Sequence, residues 1–312
     1  MTLFHVLGSS GFVGSAVADA LGASARPVPT PRVTTGARSV EALLVDANSR
    51  SAEVAALAAQ FGRGDVVVLC SGLPDATGDA TDELFGANAL VPALVLLAAR
   101  EAGCSRVVHV SSAVVQGDVE SLDSSRTWRV SSPYGTSKML GEQVLLELSV
   151  EDGPQLVIYR PPSVHHETRR ITRALTKLSA SPVAMVPRGA DGKTPQALLE
   201  NVASAVAFAA SSANPVPEIV HHPSEGVTVA SLMLDLGGRR PLRIPRWLAR
   251  FGDASLKAAG ARVSKLAPHS RRLELLWFGQ GQSESWFEAA GWQPAAGRER
   301  WQEMGRIVRA DS

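Results

Sequence analysis

Little in this chain announces a function by sheer number. Among 312 residues there are two cysteines, Cys70 and Cys104, too few for a disulfide framework. The seven histidines form no ligand set: His165 with His166 and His221 with His222 are adjacent pairs whose side chains diverge on a strand, and no metal is expected. A net charge of +1 argues against nucleic acid as a partner. The longest apolar run, residues 87–99, is too short to span a bilayer and contains Pro92. No basic leader with an apolar core precedes the first strand. The expectation is a cytoplasmic chain with no membrane partner.

Scarcity sharpens what is present. Tyrosine occurs twice and lysine five times, yet Tyr134 stands four residues before Lys138 in the run Ser-Pro-Tyr-Gly-Thr-Ser-Lys. Residues i and i+4 share one helix face, so a phenol and an ammonium can act on one substrate atom. The free groups titrate at about 10 and about 10.4. A neighbouring cation favours the phenolate and brings the phenol toward the working range of a proton-transfer catalyst.

The N-terminus supplies a second constellation. Residues 3–7 read as a short buried strand, Gly8-Ser9-Ser10-Gly11-Phe12-Val13-Gly14 as a turn, and the Ala/Val/Leu-rich stretch to Leu21 as a helix. Such a turn is a phosphate cradle: glycines admit the pyrophosphate, and the helix N-terminus offers unpaired N–H groups and a positive dipole. Strands alternating with apolar helices through residue 164 predict an α/β fold, a doubly wound parallel sheet of the Rossmann type. The later chain, richer in Pro, Arg and Trp, reads as a smaller substrate-binding cap. Charge divides the same way, with eleven basic against seventeen acidic residues up to 165 and twenty against thirteen beyond. A basic cap steers anions.

The Gly-x-x-Gly-x-x-Gly turn together with Tyr-x-x-x-Lys resembles the extended short-chain dehydrogenase/reductase family, and the resemblance runs along nearly the whole chain. Val66 to Gly72 looks like the family's fourth strand, placing Cys70, Ser71 and Gly72 beside the cofactor. Arg106 to Ala113 looks like the fifth, with Ser112 as the catalytic serine and Ala113 next to the substrate. The stretch Leu156 to Val164 looks like the strand and Arg-Pro-Pro turn that approach the nicotinamide, bringing in Pro161, Ser163 and Val164. The ending Ala290-Gly291-Trp292-Gln293-Pro294 points to the nucleotide-sugar branch. By this resemblance Ser10, Phe12 and Val13 join the glycines around the cofactor, Asn88 supports Lys138, and Asp46 with Ala47 meets the adenine. Residues 195–224 return to the dinucleotide-binding domain (1–164), leaving 165–194 and 225–312 as cap.

Cofactor choice turns on a carboxylate about 20 residues past the glycines, which would bond a ribose 2′-hydroxyl. No acid lies between Asp19 and Glu41, whereas Arg32 sits near the expected strand end. A guanidinium suits a 2′-phosphate, so NADP is favoured, with NAD the alternative. Three positions depart from the family pattern: Gln116 replaces a tyrosine, His165-His166 replaces Tyr-Gly, and an arginine before Val202 is lacking, with Lys193 and Thr194 nearby. All surround the substrate and disfavour a standard UDP-galactose epimerase. A dehydratase is disfavoured because Ala113 and Val114 stand where such enzymes carry Asp-Glu.

The sequence therefore implies an NAD(P)-dependent oxidoreductase acting on a nucleotide-activated sugar, a 4-ketoreductase first and a 4-epimerase second. A non-catalytic dinucleotide sensor or structural protein is the third reading, disfavoured by the intact Ser112, Tyr134 and Lys138. Candidates for the substrate side are Ser112, Ala113, His165, Arg188, Lys193, Arg271 and Arg272. The helices beginning near Asn88 and Ser132 are apolar on more than one face, and relatives pair these helices, so a homodimer through a four-helix interface is expected.

Overall fold

A computed structural model describes residues 2–74, 78–189, 191–262 and 277–311. In chain order its elements are β1 (Phe4–Leu7), α1 (Phe12–Leu21), β2 (Ala25–Val28), α2 (Val40–Ser49), α3 (Ser51–Ala58), β3 (Val66–Leu69), α4 (Asp82–Phe85), α5 (Val91–Ala102), β4 (Arg106–Val110), β5 (Ser121–Leu122), α6 (Pro133–Leu148), β6 (Gln155–Arg160) and β7 (Ser163–His165). These are followed by α7 (Arg170–Ala180), β8 (Met185–Pro187), β9 (Gln196–Leu198), α8 (Leu199–Ser211), β10 (Ile219–His221), α9 (Val229–Gly237), β11 (Leu242–Ile244), α10 (Arg246–Arg262), β12 (Gly281–Gln282), α11 (Trp286–Ala289) and α12 (Arg298–Ala310). A π-helical turn, Gly86–Leu90, joins α4 to α5.

Six parallel strands in the order β10-β6-β4-β3-β1-β2 form the central sheet. Its strands are short β-branched runs such as Val66–Leu69, buried on both faces as a parallel sheet requires. One core lies between the sheet and α2, α3, α5 and α6. The other lies on the opposite face, where Val17 of α1 and Val206 of α8 meet Tyr159, Phe287 and Trp292. The return of the later chain is physical: β10 adds to β6, and the Arg106 guanidinium donates to the carbonyls at the end of α8 (Ala209, Ala210 and Ser212). Trp286, Phe287 and Trp292 close this side, so part of the C-terminal segment packs on the sheet. A third cluster, with Leu232, Leu236, Trp301 and Met304, joins α9 and α12.

One sequence expectation needs correction. The stretch ending at Asp46 is helix α2 and contributes no strand beyond β2, so Val66–Leu69 is the third strand of the sheet and Arg106–Val110 the fourth. The cause is local: Ser39 caps the helix by accepting from the Ala42 amide, and Val40, Leu43, Leu44 and Ala47 fall on one face toward the core at helical spacing. The apolar surplus of α5 also finds cover within the chain. Every hydrophobic residue from Leu90 to Ala99 that lines this core is at most 8% exposed, with α3 and α2 packed against the helix. The 21-residue run Asp82–Ala102 is apolar enough to cross a membrane by length, but 83% of its most apolar window is buried inside the fold, which marks it as a core helix.

Light scattering at micromolar concentration tests the expected pairing: a homodimer should give about twice 32.8 kDa, and a mass near 32.8 kDa would show that the chain does not pair.

Candidate active site

The cleft opens at the carboxyl ends of β1, β3 and β4, where open parallel sheets bind ligands. At the end of β1 the Gly8 backbone is left-handed, φ +81°, and the Gly11 amide donates to the Gly8 carbonyl at 2.9 Å. A Cβ on Gly14 would overlap that same carbonyl oxygen, so α1 can approach β1 this closely only with glycine there. Gly11 caps α1 without a side-chain hydrogen bond, leaving the first amides directed at the cleft. Opposite them, Ser71 after β3 carries a buried hydroxyl with no partner among the described residues. The turn, the helix end and the orphaned hydroxyl fit the diphosphate of a dinucleotide.

Lys138 is buried on α6 and its ammonium donates to the Val110 carbonyl at the end of β4, 3.3 Å away. A Cβ placed on Gly72 would stand 2.7 Å from Asn88 Oδ1 and 3.0 Å from Lys138 Nζ. Gly72, Asn88 and Lys138 therefore converge, and only a glycine leaves room between them. Asn88 sits in the π-helical turn and clamps the β3 loop, accepting from the Leu73 amide and donating to the Leu73 carbonyl, both at 3.0 Å. It also donates to Ser137 Oγ at 3.0 Å, which ties that loop to α6 beside the lysine.

Burial pulls the Lys138 ammonium down to about 8, with the Glu142 carboxylate and Cys70 opposing the fall. Between about pH 8 and 10.5 the unfolded chain then binds more protons than the folded one, so this group makes stability rise with pH there and costs stability below 8. Burial also pushes the Cys70 thiol up to about 12, against the pull of Lys138, so Cys70 shapes the cleft as a neutral group.

Tyr134, in the first turn of α6, is half-buried against the α5–α6 core. The helix starts where it does because Ser132 accepts from the Gly135 amide and Pro133 occupies the first turn, a favoured N-terminal pairing. Ser112 caps the short 3-10 turn Ala113–Gln116, and its oxygen accepts from the Val114 amide at 3.3 Å. Its hydroxyl proton stays available to a ligand. Ala113 donates to the Pro161 carbonyl at 2.8 Å, joining the serine loop to the Arg-Pro-Pro turn.

One buried carboxylate binds these pieces together. Glu142, one turn beyond Lys138, accepts from Ser111 Oγ at 2.6 Å, Trp128 Nε1 at 2.8 Å and Arg160 at 3.0 and 2.6 Å. Arg160 also donates to the Ser125 carbonyl at 2.8 Å. Both charged side chains are fully buried. The sequence reading named neither as a site residue, although the spacing of Glu142 from Tyr134 and Lys138, eight and four residues, puts all three on one helix face.

The remaining candidates differ in placement. Asp46 is occupied on α2 by Thr35 at 2.6 Å and Arg50 at 2.7 Å. Partial burial opposes its ionisation, but those two hydrogen bonds keep it below the usual carboxylate range. It ends no strand; Ala47 faces the core. His165 is buried with both ring nitrogens engaged, Nδ1 by Thr172 at 3.0 Å and Nε2 by Gln196 at 2.7 Å. Burial holds it down at about 4, so it is neutral and tied into the fold by both nitrogens. Gln116 is buried and spent on Asp123. Arg32 is exposed after β2, and Arg188 and Lys193 are exposed around β8 and β9. Ser10 and Ser163 are exposed, and Phe12, Val13 and Val164 half-buried. Arg271 and Arg272 lie outside the described residues.

Two residues join the site that sequence reading passed over. Thr30, just past β2, has a buried hydroxyl without a partner among the described residues. The Arg169 guanidinium stands 4.5 Å over the Phe12 ring, bringing a cation to the start of α1. Neither had a readable signal, since both depend on tertiary placement.

This combination of cradle, buried lysine, tyrosine and serine defines a nicotinamide-dinucleotide oxidoreductase. A family model for the NAD dependent epimerase/dehydratase family matches residues 4–218, and the chain belongs to that family. It is thus an enzyme that uses NAD or NADP. Sequence comparison with curated proteins finds no match. Solved structures show the same fold. UDP-glucuronic acid 4-epimerase from Bacillus cereus, with UDP-glucuronic acid and NAD, is 16% identical with TM-score 0.63 over 100% of both chains. dTDP-4-dehydrorhamnose reductase from Bacillus anthracis, with NADP, is 14% identical with TM-score 0.60 over 98% of this chain and 99% of that one. RMD from Pseudomonas aeruginosa, with NADPH, is 16% identical with TM-score 0.58 over 100% of both.

Removing the central carboxylate strands the buried Arg160 charge. Glu142→Ala is expected to cost about 3–5 kcal/mol of stability, read as a lowered denaturation midpoint. A midpoint within error of the parent would show that the pair is dispensable.

Proposed function

We propose that the chain is an NADPH-dependent 4-ketoreductase of nucleotide-linked sugars. The observation that carries the reading is Lys138, an ammonium held in a dry cleft between the β3 loop and the end of β4, on the helix face it shares with Tyr134. When bound, the reduced nicotinamide supplies a hydride to the keto carbon. Tyr134 gives its phenolic proton to the keto oxygen as that oxygen becomes an alkoxide. Lys138 lowers the cost of the resulting phenolate by Coulomb attraction in a site where water does not screen it. Ser112 donates its hydroxyl to the same oxygen and holds it within reach of the phenol. Asn88 keeps the β3 loop from collapsing onto the ammonium.

Support for the substrate class comes from the neighbours' names, which include an epimerase holding UDP-glucuronic acid and a dTDP-4-dehydrorhamnose reductase. Arg188 and Lys193, exposed around the cap strands, are the cations proposed to meet the diphosphate. NADP is favoured over NAD because Asp46 is spent within α2 and Arg32 is exposed past β2, where a 2′-phosphate would lie. A 4-epimerase would use the same three residues but must retain its cofactor through the cycle. The lack of an acidic clamp at β2 supports release and exchange, hence the reductase.

UDP- and dTDP-linked 4-keto sugars should consume NADPH stoichiometrically, and faster than NADH. Tyr134→Phe should lower turnover by at least about 10²-fold while dinucleotide binding, read by fluorescence, persists. Near-parent turnover in that variant would remove Tyr134 from the mechanism. Interconversion of 4-epimers with no net NADPH loss would decide for the epimerase.

A further inference from the structure

The strand pair β8–β11 and the start of α10 carry a feature that the catalytic site does not use. Trp247 is 71% exposed, Phe251 67%, Val183 65% and Leu242 54%, with Leu248 exposed beside them. Large apolar side chains are rarely left out together unless something covers them. β11 pairs with β8, and the first turn of α10 hangs from the Pro245 carbonyl, which accepts from Leu248 and Ala249. Ala249 is fully buried and Gly252 abuts the Trp277 ring, so the inner face of α10 is fixed. Trp247 and Phe251, four residues apart, therefore share the opposite, outward face.

The charge around this face is predominantly positive. Residues 239–250 contain five arginines, Arg239, Arg240, Arg243, Arg246 and Arg250, and no acid. All five are exposed. Arg243 reaches Asp191 at 3.6 Å, but both side chains remain more than half exposed, a pairing of little strength. Arg246 and Arg250 flank the Trp247–Phe251 stripe on the helix. A helix with an outward aromatic and aliphatic stripe edged by arginine is the pattern of a segment that lies in a lipid interface, where Trp settles at headgroup depth and Arg keeps its charge in water.

We propose that this face docks the enzyme on an anionic phospholipid surface. A single substrate diphosphate has no use for outward tryptophan and phenylalanine, and a second copy would set one arginine row against another. Nucleic acid would satisfy the arginines and could stack on the aromatics. It has no use for Val183, Leu242 and Leu248, whereas hydrocarbon does. The expectation of no membrane partner rested on the lack of a spanning segment, and a helix lying on the surface needs none.

The test is flotation of the full chain with vesicles of equal parts phosphatidylcholine and phosphatidylglycerol, against phosphatidylcholine alone. The mixed vesicles should bind the protein and the neutral ones should not, with binding weakening as salt is raised. Trp247→Ser with Phe251→Ser, and separately Arg239→Glu with Arg240→Glu, should each lower the partition coefficient by about tenfold or more. Both pairs are exposed, so melting temperatures should stay near the parent's. No binding to the mixed vesicles, equal binding by the variants, displacement by a single-stranded RNA oligonucleotide, or a doubled mass abolished by the aromatic variant would each overturn the proposal.

Discussion

Everything catalytic in this chain is arranged around a charge kept out of water. A lysine ammonium in the interior is costly, and its fall to about 8 measures how strongly the surroundings disfavour it. It remains mostly protonated at neutral pH because Glu142 stands one turn away as counter-charge. Glu142 is itself tolerable only because its two oxygens accept four hydrogen bonds, one of them from Ser111, next to Ser112. The ammonium, the phenol, the serine loop and the Arg-Pro-Pro turn are thus parts of one buried electrostatic assembly.

That assembly explains why the cleft is both rigid and reactive. Rigidity comes from the clamp of Asn88 on the β3 loop and from the join between Ala113 and Pro161, which hold three strand ends in register. In the proposed reaction, reactivity would come from low local dielectric, in which a nearby cation stabilises a developing phenolate far more than it would in water. The Gly8–Gly14 turn makes the same trade on the cofactor side: side chains are given up so that amides can face an anion.

How much of this was legible depended on the range of the interaction. The glycine turn and the Tyr134–Lys138 spacing are local patterns, and the sequence displayed them without a structure. The doubly wound sheet followed from alternation. The stretch from 40 to 49 was set beside the adenine by resemblance at Asp46, while the Ser39 cap and the spacing of Leu43 and Ala47 favour a helix. His165 looked like a substrate residue by its place after the Arg-Pro-Pro turn, but its neighbours Thr172 and Gln196 come from elements that only the fold brings near. Thr30 and Arg169 were invisible for the same reason; Glu142 shares the helix face of Tyr134 and Lys138, and only its pairing with Arg160 needed the fold. The enclosure of α5 depended on α2 and α3 reaching it.

The central claim is that Lys138 carries a depressed but largely occupied proton in the free enzyme. With only five lysines in the chain, 13Cε-lysine NMR can follow each through a pH titration. One resonance should titrate at about 8, vanish in Lys138→Met, and move to lower pH in Glu142→Gln as the counter-charge is lost. Five lysines all titrating at the ordinary value of about 10.4 would contradict the account.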